Sequence, residues 1–208
     1  ESIKKDAIAN LSDEDKATLK PIIDAQPEAA QPQFDATPRN FVKMWTMKDF
    51  EGLLGVGLEG NRNHKNGRNL FGAAACFSCH RFNQEGGAVG PDLTGVAGRF
   101  SPSDLLESII EPSKEISDQY NATVITKNDD EVIMGRIVNL NGDNVNVNTN
   151  MLDPNEQTSI KRSDIKSMGP SKVSMMPPGL LSTMTEDDVL DLLAYLLSGG
   201  KADHPLFK

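Results

Sequence analysis

Both cysteines of this chain lie in one short motif, Cys76-Phe77-Ser78-Cys79-His80. On a helical turn, residues three positions apart project from nearly the same side, so the two thiols would share one face. The histidine follows the second cysteine directly. The motif therefore predicts a tight turn that carries two sulfur atoms and one imidazole around a common site, and it excludes a disulfide framework as the main stabiliser of the chain.

This spacing is typical of covalent haem attachment, in which the two thiols add to the vinyl groups along one haem edge and the histidine lies under the iron. A structural zinc site is an alternative, but it needs four ligands, and only His64 and His204 could join the motif. A dithiol redox pair needs a strand–motif–helix context, whereas this motif lies between a predicted helix and a glycine-rich segment. The sequence therefore favours one covalently attached haem c at Cys76 and Cys79, with His80 as an iron ligand.

Composition excludes several other classes of function. The chain has 208 residues and a formal net charge of -9, and aromatic residues make up only 5%. An acidic surface with few aromatic residues does not suit a nucleic acid, and no apolar run reaches the roughly 20 residues of a membrane-spanning helix. The charged start of the sequence is not a signal peptide. We expect no nucleic-acid partner and no membrane span in this chain.

Changes in hydrophobic period divide the chain into four predicted segments. Residues 1–38 form an N-terminal helical appendage and a linker punctuated by prolines, and residues 39–118 hold the first part of a helical core with the haem attachment. Residues 119–168 alternate apolar and polar positions around Asn141-Gly142, which predicts an antiparallel β insertion. Residues 169–208 complete the core with a methionine loop and the C-terminal helix.

Capping residues predict where individual helices begin and end. Ser101 followed by Pro102 predicts one helix start, and Thr185 followed by three acidic residues predicts another. Gly199-Gly200 predicts the end of the C-terminal helix. The glycine-rich residues 81–100 are predicted to form a loop without helix or strand.

The segment from Gly67 to Arg99 resembles a class I cytochrome c. It has Leu70-Phe71 before the cysteine motif and Gly90-Pro91-Asp92-Leu93-Thr94-Gly95-Val96-Ala97-Gly98-Arg99 after it. In that class the haem-bearing helix crosses the C-terminal helix, and Phe71 is expected to meet Tyr195 at the crossing.

A wider resemblance, over residues 39–198, is to the haem-binding domain family of planctomycetes and verrucomicrobia. It rests on the segments Arg39-Asn40-Phe41-Val42-Lys43-Met44-Trp45-Thr46, Phe100-Ser101-Pro102-Ser103-Asp104-Leu105-Leu106, Glu111-Pro112-Ser113-Lys114 and Met176-Pro177-Pro178-Gly179-Leu180-Leu181. The two resemblances imply a mainly α fold, in which a class I cytochrome c core carries a small antiparallel β insertion and an N-terminal helical appendage.

The same resemblance implies roles for residues around the haem. The Pro91 carbonyl would accept a hydrogen bond from His80. Leu93 would pack on the haem face, and Arg99 would lie near the propionates. Met176, which precedes two prolines, would be the second axial ligand. The alternatives for that position are Met175, His64, His204 and an open site.

Motif and resemblance together predict an electron-transfer protein rather than an enzyme, with one haem c whose iron is ligated by His80 and Met176. Its partners would be redox proteins, for example a dehydrogenase or a terminal oxidase. Haem c is attached outside the bacterial cytoplasm, so we expect a periplasmic or otherwise extracytoplasmic location. Two other functions stay open: a haem-based ligand sensor or peroxidase with an open axial site, and the electron-accepting domain of a larger dehydrogenase.

Overall fold

A computed structural model of the chain describes residues 8–24, 37–153 and 156–208. Its contacts divide the chain into two units, Glu1–Gln31 and Pro32–Lys208. The larger unit contains every site residue that the sequence predicts.

The smaller unit contains helix α1 (Asp13–Asp24). This helix follows Ser12, whose hydroxyl accepts a hydrogen bond from the Asp15 amide at 3.1 Å. Most of the predicted linker, residues 25–36, lies outside the described residues. Across the described ranges of the chain, no helix is both long enough and apolar enough to cross a membrane.

The larger unit has helical segments on both sides of its central sheet along the chain. Its α-helices, over the described residues, are α2 (Leu53–Val56), α3 (His64–Ala73), α4 (Cys76–Cys79), α5 (Pro102–Ile110) and α6 (Glu186–Leu197). Short 3-10 turns span Met47–Phe50, Val96–Gly98, Arg162–Asp164 and Pro205–Phe207.

Local capping signals placed two of these helices correctly. The Ser101 hydroxyl accepts the Asp104 amide at the start of α5, and the Thr185 hydroxyl accepts the Asp188 amide at the start of α6, both at 3.2 Å. The predicted stop after α6 is also confirmed, because both residues of Gly199-Gly200 have positive φ.

Helices α3 and α6 pack together at a glycine. A Cβ added at Gly67 would lie 2.7 Å from the Tyr195 Cβ and would also meet the Asp191 carbonyl oxygen, so only glycine allows this close approach. Phe71 and Tyr195 lie with ring centroids 6.1 Å apart, which confirms the predicted contact. The buried side chains around this crossing form what we call the main apolar cluster, with Phe50, Leu70, Leu106, Leu192, Leu193 and Leu196 among its members.

Residues 81–100 are not the plain loop that their glycine content predicted. Strands β1 (Arg81–Phe82) and β2 (Glu85–Gly86) form a short antiparallel hairpin. Asn83 and Gln84 in its turn have φ of 50° and 68°, and two successive positive φ values are the mark of a type I′ turn. The turn escaped prediction because glutamine replaces the glycine that usually marks it.

The expectation of a mainly α fold is wrong. Helices make up 33% of the structure and strands 19%, and the middle of the chain forms a five-stranded antiparallel sheet. Its strands are β3 (Thr123–Lys127), β4 (Val132–Asn141), β5 (Asn144–Asn148), β6 (Thr158–Lys161) and β7 (Ile165–Pro170). The sheet has its own apolar cluster, built from Ile125, Val145, Val147 and Ile160. A sheet with a separate core is a layer of its own, so the fold combines α and β structure.

The order of strands across the sheet is β6-β5-β4-β3-β7. The hairpin predicted at Asn141-Gly142 is confirmed between β4 and β5, with Gly142 at a φ of 58°. Strand β7 does not pair with β6, which precedes it, but returns to β3 at the opposite edge. Only the turn Arg162–Asp164 joins the two edge strands, so the sheet must curl until its edges come close together.

The chain enters and leaves this sheet at neighbouring positions. Thr123, the first residue of β3, lies opposite Pro170, the last residue of β7. The Ser171 amide continues the pairing by donating to the Ala122 carbonyl at 2.7 Å. The division of the sequence into four segments with the boundaries given above stays a prediction.

Candidate functional site

The two cysteines lie on α4, a single helical turn that follows α3 almost directly. Ala75 precedes this turn with a φ of 56°, a left-handed conformation that is uncommon for a residue other than glycine and that redirects the chain sharply. Cys76 and Cys79 are free thiols. The Cys76 side chain packs against the main apolar cluster. Both sulfur atoms are therefore carried by one helical turn on the edge of the core.

The surroundings of the cysteines keep both thiols protonated. Cys76 retains some exposed surface, yet desolvation of its thiol raises its pKa to about 12, and burial also raises the pKa of Cys79. A redox-active dithiol depends on the thiolate form. Within the described residues, no group of three or more His, Cys, Asp or Glu side chains could hold a metal ion. Burial of both thiols therefore argues against the dithiol alternative.

His80 is held at both its backbone and its ring. Its amide donates to the Cys76 carbonyl at 2.8 Å, and its Nδ1 lies 2.8 Å from the Pro91 carbonyl oxygen. A carbonyl oxygen can only accept, so Nδ1 carries the proton and Nε2 keeps its lone pair. Burial lowers the pKa of His80, and the contact with Pro91 opposes this only in part. The neutral ring with a free Nε2 lone pair is the form that ligates iron.

A glycine lies directly against the His80 ring. The amides of Val89 and Gly90 both donate to the Cys79 carbonyl, at 3.1 and 2.8 Å, which places this loop over α4. A Cβ added at Gly90 would lie 2.7 Å from Cε1 and 2.8 Å from Nδ1 of His80. Any larger residue would displace the ring or the loop. The sequence marked Gly90 only as part of a glycine-rich loop, and its spacing from the motif did not signal this contact.

The loop after Pro91 carries two further residues that the resemblance singled out. Leu93 is half-buried and packs against the main apolar cluster, and its amide donates to the Arg81 carbonyl at 2.8 Å. Arg99 is exposed and donates from Nη2 to the Asp92 carbonyl oxygen at 3.1 Å. Hydrogen bonds from Thr94, with the charges of Arg81 and Arg99, lower the pKa of Asp92. Arg99 thus braces the loop, and its contact with propionates stays a prediction.

The methionine loop approaches the same core as the cysteines. Met176 packs against the main apolar cluster, to which Cys76 is also adjacent. Its amide donates to the Ser174 hydroxyl at 3.1 Å, and the Ser174 amide donates to the Ser113 hydroxyl at 3.1 Å. These bonds tie the loop to the segment after α5. Met175 is also half-buried, but among the described residues it is not one of the side chains packed against this cluster.

The two remaining histidines make structural contacts elsewhere. His64 Nε2 lies 2.9 Å from the Gly200 carbonyl oxygen, and its ring packs at 5.4 Å from the ring of Tyr195. His204 Nδ1 accepts a hydrogen bond from the Leu206 amide at 3.4 Å and caps the last 3-10 turn. The His64 ring therefore packs at the C-terminal end of α6, and the His204 ring caps the 3-10 turn Pro205–Phe207.

One residue near the site carried no signal in the sequence. Arg136, on β4, donates from Nη1 to the Val89 carbonyl oxygen at 2.8 Å. Its guanidinium carbon lies 5.7 Å from the ring centroid of Tyr120, within the range of a cation–π contact. Arg136 and Val89 are 47 positions apart, and arginine on a strand is ordinarily solvent-exposed, so no local pattern predicts this bond.

Comparison with protein families gives a match to the part of the chain that contains the site. A family model described as Cytochrome c matches residues 64–136, from the start of α3 into β4. The match includes the cysteine motif, Pro91 and Arg99, covers less than half of the chain, and ends before Met176. No curated protein matches the chain. The family match supports a haem-binding electron-transfer protein of the cytochrome c type, with covalently bound haem c and redox partners.

Proposed function

We propose that this chain carries single electrons on one haem c, attached through Cys76 and Cys79, with His80 and Met176 as the axial ligands of the iron. One observation carries the proposal. His80 directly follows a helical turn with two free cysteines, and its ring Nδ1 lies 2.8 Å from the Pro91 carbonyl oxygen. When bound, haem c supplies one-electron iron chemistry. We also propose that the domain is of the planctomycete and verrucomicrobial type.

The residues of the site fit this group in three ways. Cys76 and Cys79 are protonated thiols, and S–H addition across a vinyl double bond uses both the sulfur and its proton. The neutral His80 ring offers Nε2, and donation from Nδ1 to a carbonyl fixes its tautomer and raises its basicity as a ligand. Gly90 has no side chain, so the His80 ring can lie directly against the loop.

Support for Met176 comes from its place and its anchoring. It packs against the apolar cluster that Cys76 also contacts, and Pro177-Pro178 restricts the backbone after it. A methionine–histidine pair raises the reduction potential and fills both axial positions, so the iron exchanges electrons without binding a substrate. This is why we favour an electron carrier over a ligand sensor or a peroxidase.

Partners and location follow from the same chemistry. We propose redox proteins as partners, such as a dehydrogenase or a terminal oxidase, and an extracytoplasmic location, because haem c is attached outside the bacterial cytoplasm. A test is production of the chain with and without an export signal in a host that matures c-type cytochromes. We expect haem-loaded protein only with the signal; equal loading in the cytoplasm would contradict this location.

The covalent attachment is tested on the denatured protein. After production with a cytochrome c maturation system, acid acetone should leave the haem on the polypeptide, and the pyridine haemochrome spectrum should give one haem per chain. Cys76→Ala with Cys79→Ala should release all haem, whereas Ser78→Ala, between the two cysteines, should retain it. Haem that leaves the wild-type chain would contradict the proposal.

The second ligand is tested with adjacent methionines. We expect Met176→Leu to lose the methionine–iron charge-transfer band, to lower the reduction potential and to bind carbon monoxide readily in the ferrous state. Met175→Leu removes the same side chain one position away and should leave all three properties unchanged. Loss of the band in Met175→Leu alone, or its retention in both variants, would exclude Met176 as the ligand.

A further inference from the structure

The peptide unit between Val89 and Gly90 is held at both of its polar atoms. Its N–H, on Gly90, donates to the Cys79 carbonyl at 2.8 Å. Its carbonyl, on Val89, accepts from Arg136 Nη1 at 2.8 Å. Because a peptide unit is planar, bonds at these two ends fix the orientation of the whole plane. The Gly90 corner of this plane is the part of the loop that contacts the His80 ring.

The position of Arg136 is set by the sheet. Its neighbour Gly135 is the last residue of β4 paired with β3, and Arg136 is the first paired with β5, opposite Asn148. Gly135 is buried, and a Cβ there would lie 2.7 Å from Val147 Cγ1, so the strand is closely packed at this point. Arg136 is therefore attached to a closely packed backbone in the centre of the sheet.

Tyr120 supports the guanidinium from one side. The guanidinium carbon lies 5.7 Å from the Tyr120 ring centroid, and the side chain of Arg136 is half-buried. A guanidinium is planar, so it can stack on an aromatic ring and donate a directed hydrogen bond at the same time. It loses less rotamer entropy per hydrogen bond than a lysine ammonium does. The bond to Val89 is thus supported by ring packing as well as by charge.

We propose that Arg136 is a positioning residue for His80: through the Val89–Gly90 peptide it couples the β-sheet to the proximal side of the haem. The inference rests on the proposed function, because it concerns the ring that would ligate the iron. The Pro91 carbonyl accepts the hydrogen bond from His80 Nδ1. Because Pro91 directly follows Gly90, a rotation of the Val89–Gly90 plane moves this carbonyl. The strength of this hydrogen bond sets the basicity of the ligand and thereby the reduction potential.

The test is Arg136→Met in the full, haem-loaded chain. Hydrogen exchange at the Gly90 amide should accelerate by about tenfold or more, as expected when a charge-assisted hydrogen bond that orders the loop is lost. The electron paramagnetic resonance signal of the ferric form should shift and broaden, and the reduction potential should change. Arg162→Met, an exposed arginine on the turn between β6 and β7, is the matched control and should leave all three readouts unchanged.

Two further variants keep the inference testable if Arg136→Met does not fold. Arg136→Lys retains the charge without the planar fork, and Tyr120→Leu removes the ring under the guanidinium. Each should accelerate exchange at Gly90 less than Arg136→Met. Unchanged exchange at Gly90 in the folded variants would overturn the inference, as would an equal change in Arg162→Met. Faster exchange at Gly90 in Arg136→Met with an unchanged ferric spectrum and reduction potential would also overturn it. The loop would then have loosened without any effect on His80.

The exchange measurement separates this inference from the proposed function. Exchange at the Gly90 amide reports on the bond between Arg136 and Val89 in the haem-loaded chain, whereas covalent haem binding by the wild type tests the proposed function. A wild-type chain that never binds haem covalently would contradict the proposed function, whatever the exchange shows. A haem-loaded wild type with unaltered exchange in Arg136→Met would contradict only the role of Arg136.

Discussion

Gly90 illustrates how a residue without a side chain shapes this site. It lies against the His80 ring, and its amide, which belongs to the peptide that Arg136 holds, donates to the Cys79 carbonyl. Glycine is needed here because a side chain would overlap the His80 ring. The backbone conformation is not the reason, because Gly90 does not have positive φ. The next residue, Pro91, supplies the acceptor for the His80 proton. Gly90 therefore determines how closely the loop approaches the imidazole.

We predict that Gly90→Ala destabilises the chain by about 1 to 3 kcal/mol, because the added methyl group would overlap the His80 ring. In the haem-loaded protein, the reduction potential and the ferric spectrum should also change as the ring moves. Denaturant unfolding and redox titration measure the two effects. Gly95→Ala is the control: it lies in the same loop, has negative φ and open space at its Cβ, and should leave both nearly unchanged. Equal effects of the two substitutions would contradict the steric explanation.

At the scale of single elements, the start of α6 is joined to its neighbours through Asp188. Its carboxylate accepts the Thr185 amide at 3.1 Å and the Asn66 side-chain amide at 3.0 Å, and it forms an ion pair with Arg39. Burial alone would raise its pKa, but the hydrogen bonds from Asn66 and Thr185 and the charge of Arg39 outweigh burial, so the pKa is lowered. Asp188 thus ties α6 to α3 and to the segment that contains Arg39.

A lowered pKa makes this contribution dependent on pH. Because the folded pKa of Asp188 lies below the unfolded value of about 3.9, its stabilisation is fully present above that value and is lost as pH falls through the folded pKa. We predict that Asp188→Asn lowers the free energy of unfolding by about 1 kcal/mol at neutral pH and that the difference from wild type shrinks below about pH 4. Denaturant unfolding at several pH values measures this. Asp187→Asn, at the exposed neighbouring position, should show little effect, and a difference for Asp188→Asn that persists unchanged into acid would contradict the assignment.

Elements with local signals were predictable from sequence, and contacts between distant segments were not. Ser101, Thr185 and Asn141-Gly142 act through neighbours within a few positions, so their caps and turn could be read directly. The return of β7 to β3 depends on strand pairing across the whole insertion, which alternation cannot specify. At the site, the cysteine motif indicated the chemistry. The bond from Arg136 depends on the sheet being in place and had no local pattern.

At the scale of the whole molecule, acidic charge dominates. The formal net charge is -9 at pH 7, from 30 acidic and 21 basic residues. Long-range attraction extends over a screening length of about 30 Å at 0.01 M salt but only about 8 Å at 0.15 M. A negative molecule of this kind attracts cationic reagents and repels anionic ones, and salt weakens both effects. Encounter with a redox partner is therefore expected to depend on ionic strength.

We predict that the haem-loaded protein exchanges electrons faster with a small cationic complex, such as hexaammineruthenium, at low salt than at high salt. An anionic complex such as ferricyanide should show the opposite dependence, and a neutral quinone should be nearly insensitive to salt. Stopped-flow rates at increasing ionic strength measure this. Faster reaction of the anionic complex at low salt would mean that positive charge governs the exposed haem edge, contrary to the net charge.

The pairing of Thr123 with Pro170 places the two ends of the inserted sheet side by side. The Cα atoms of opposed residues in antiparallel strands lie about 5 Å apart, so the chain enters and leaves the sheet at almost the same point. A linker of one or two residues would be long enough to join the chain before Thr123 to the chain after Pro170. The sheet is thus an insertion whose two ends are adjacent, so the many residues that separate His80 from Met176 along the chain need not separate them in space.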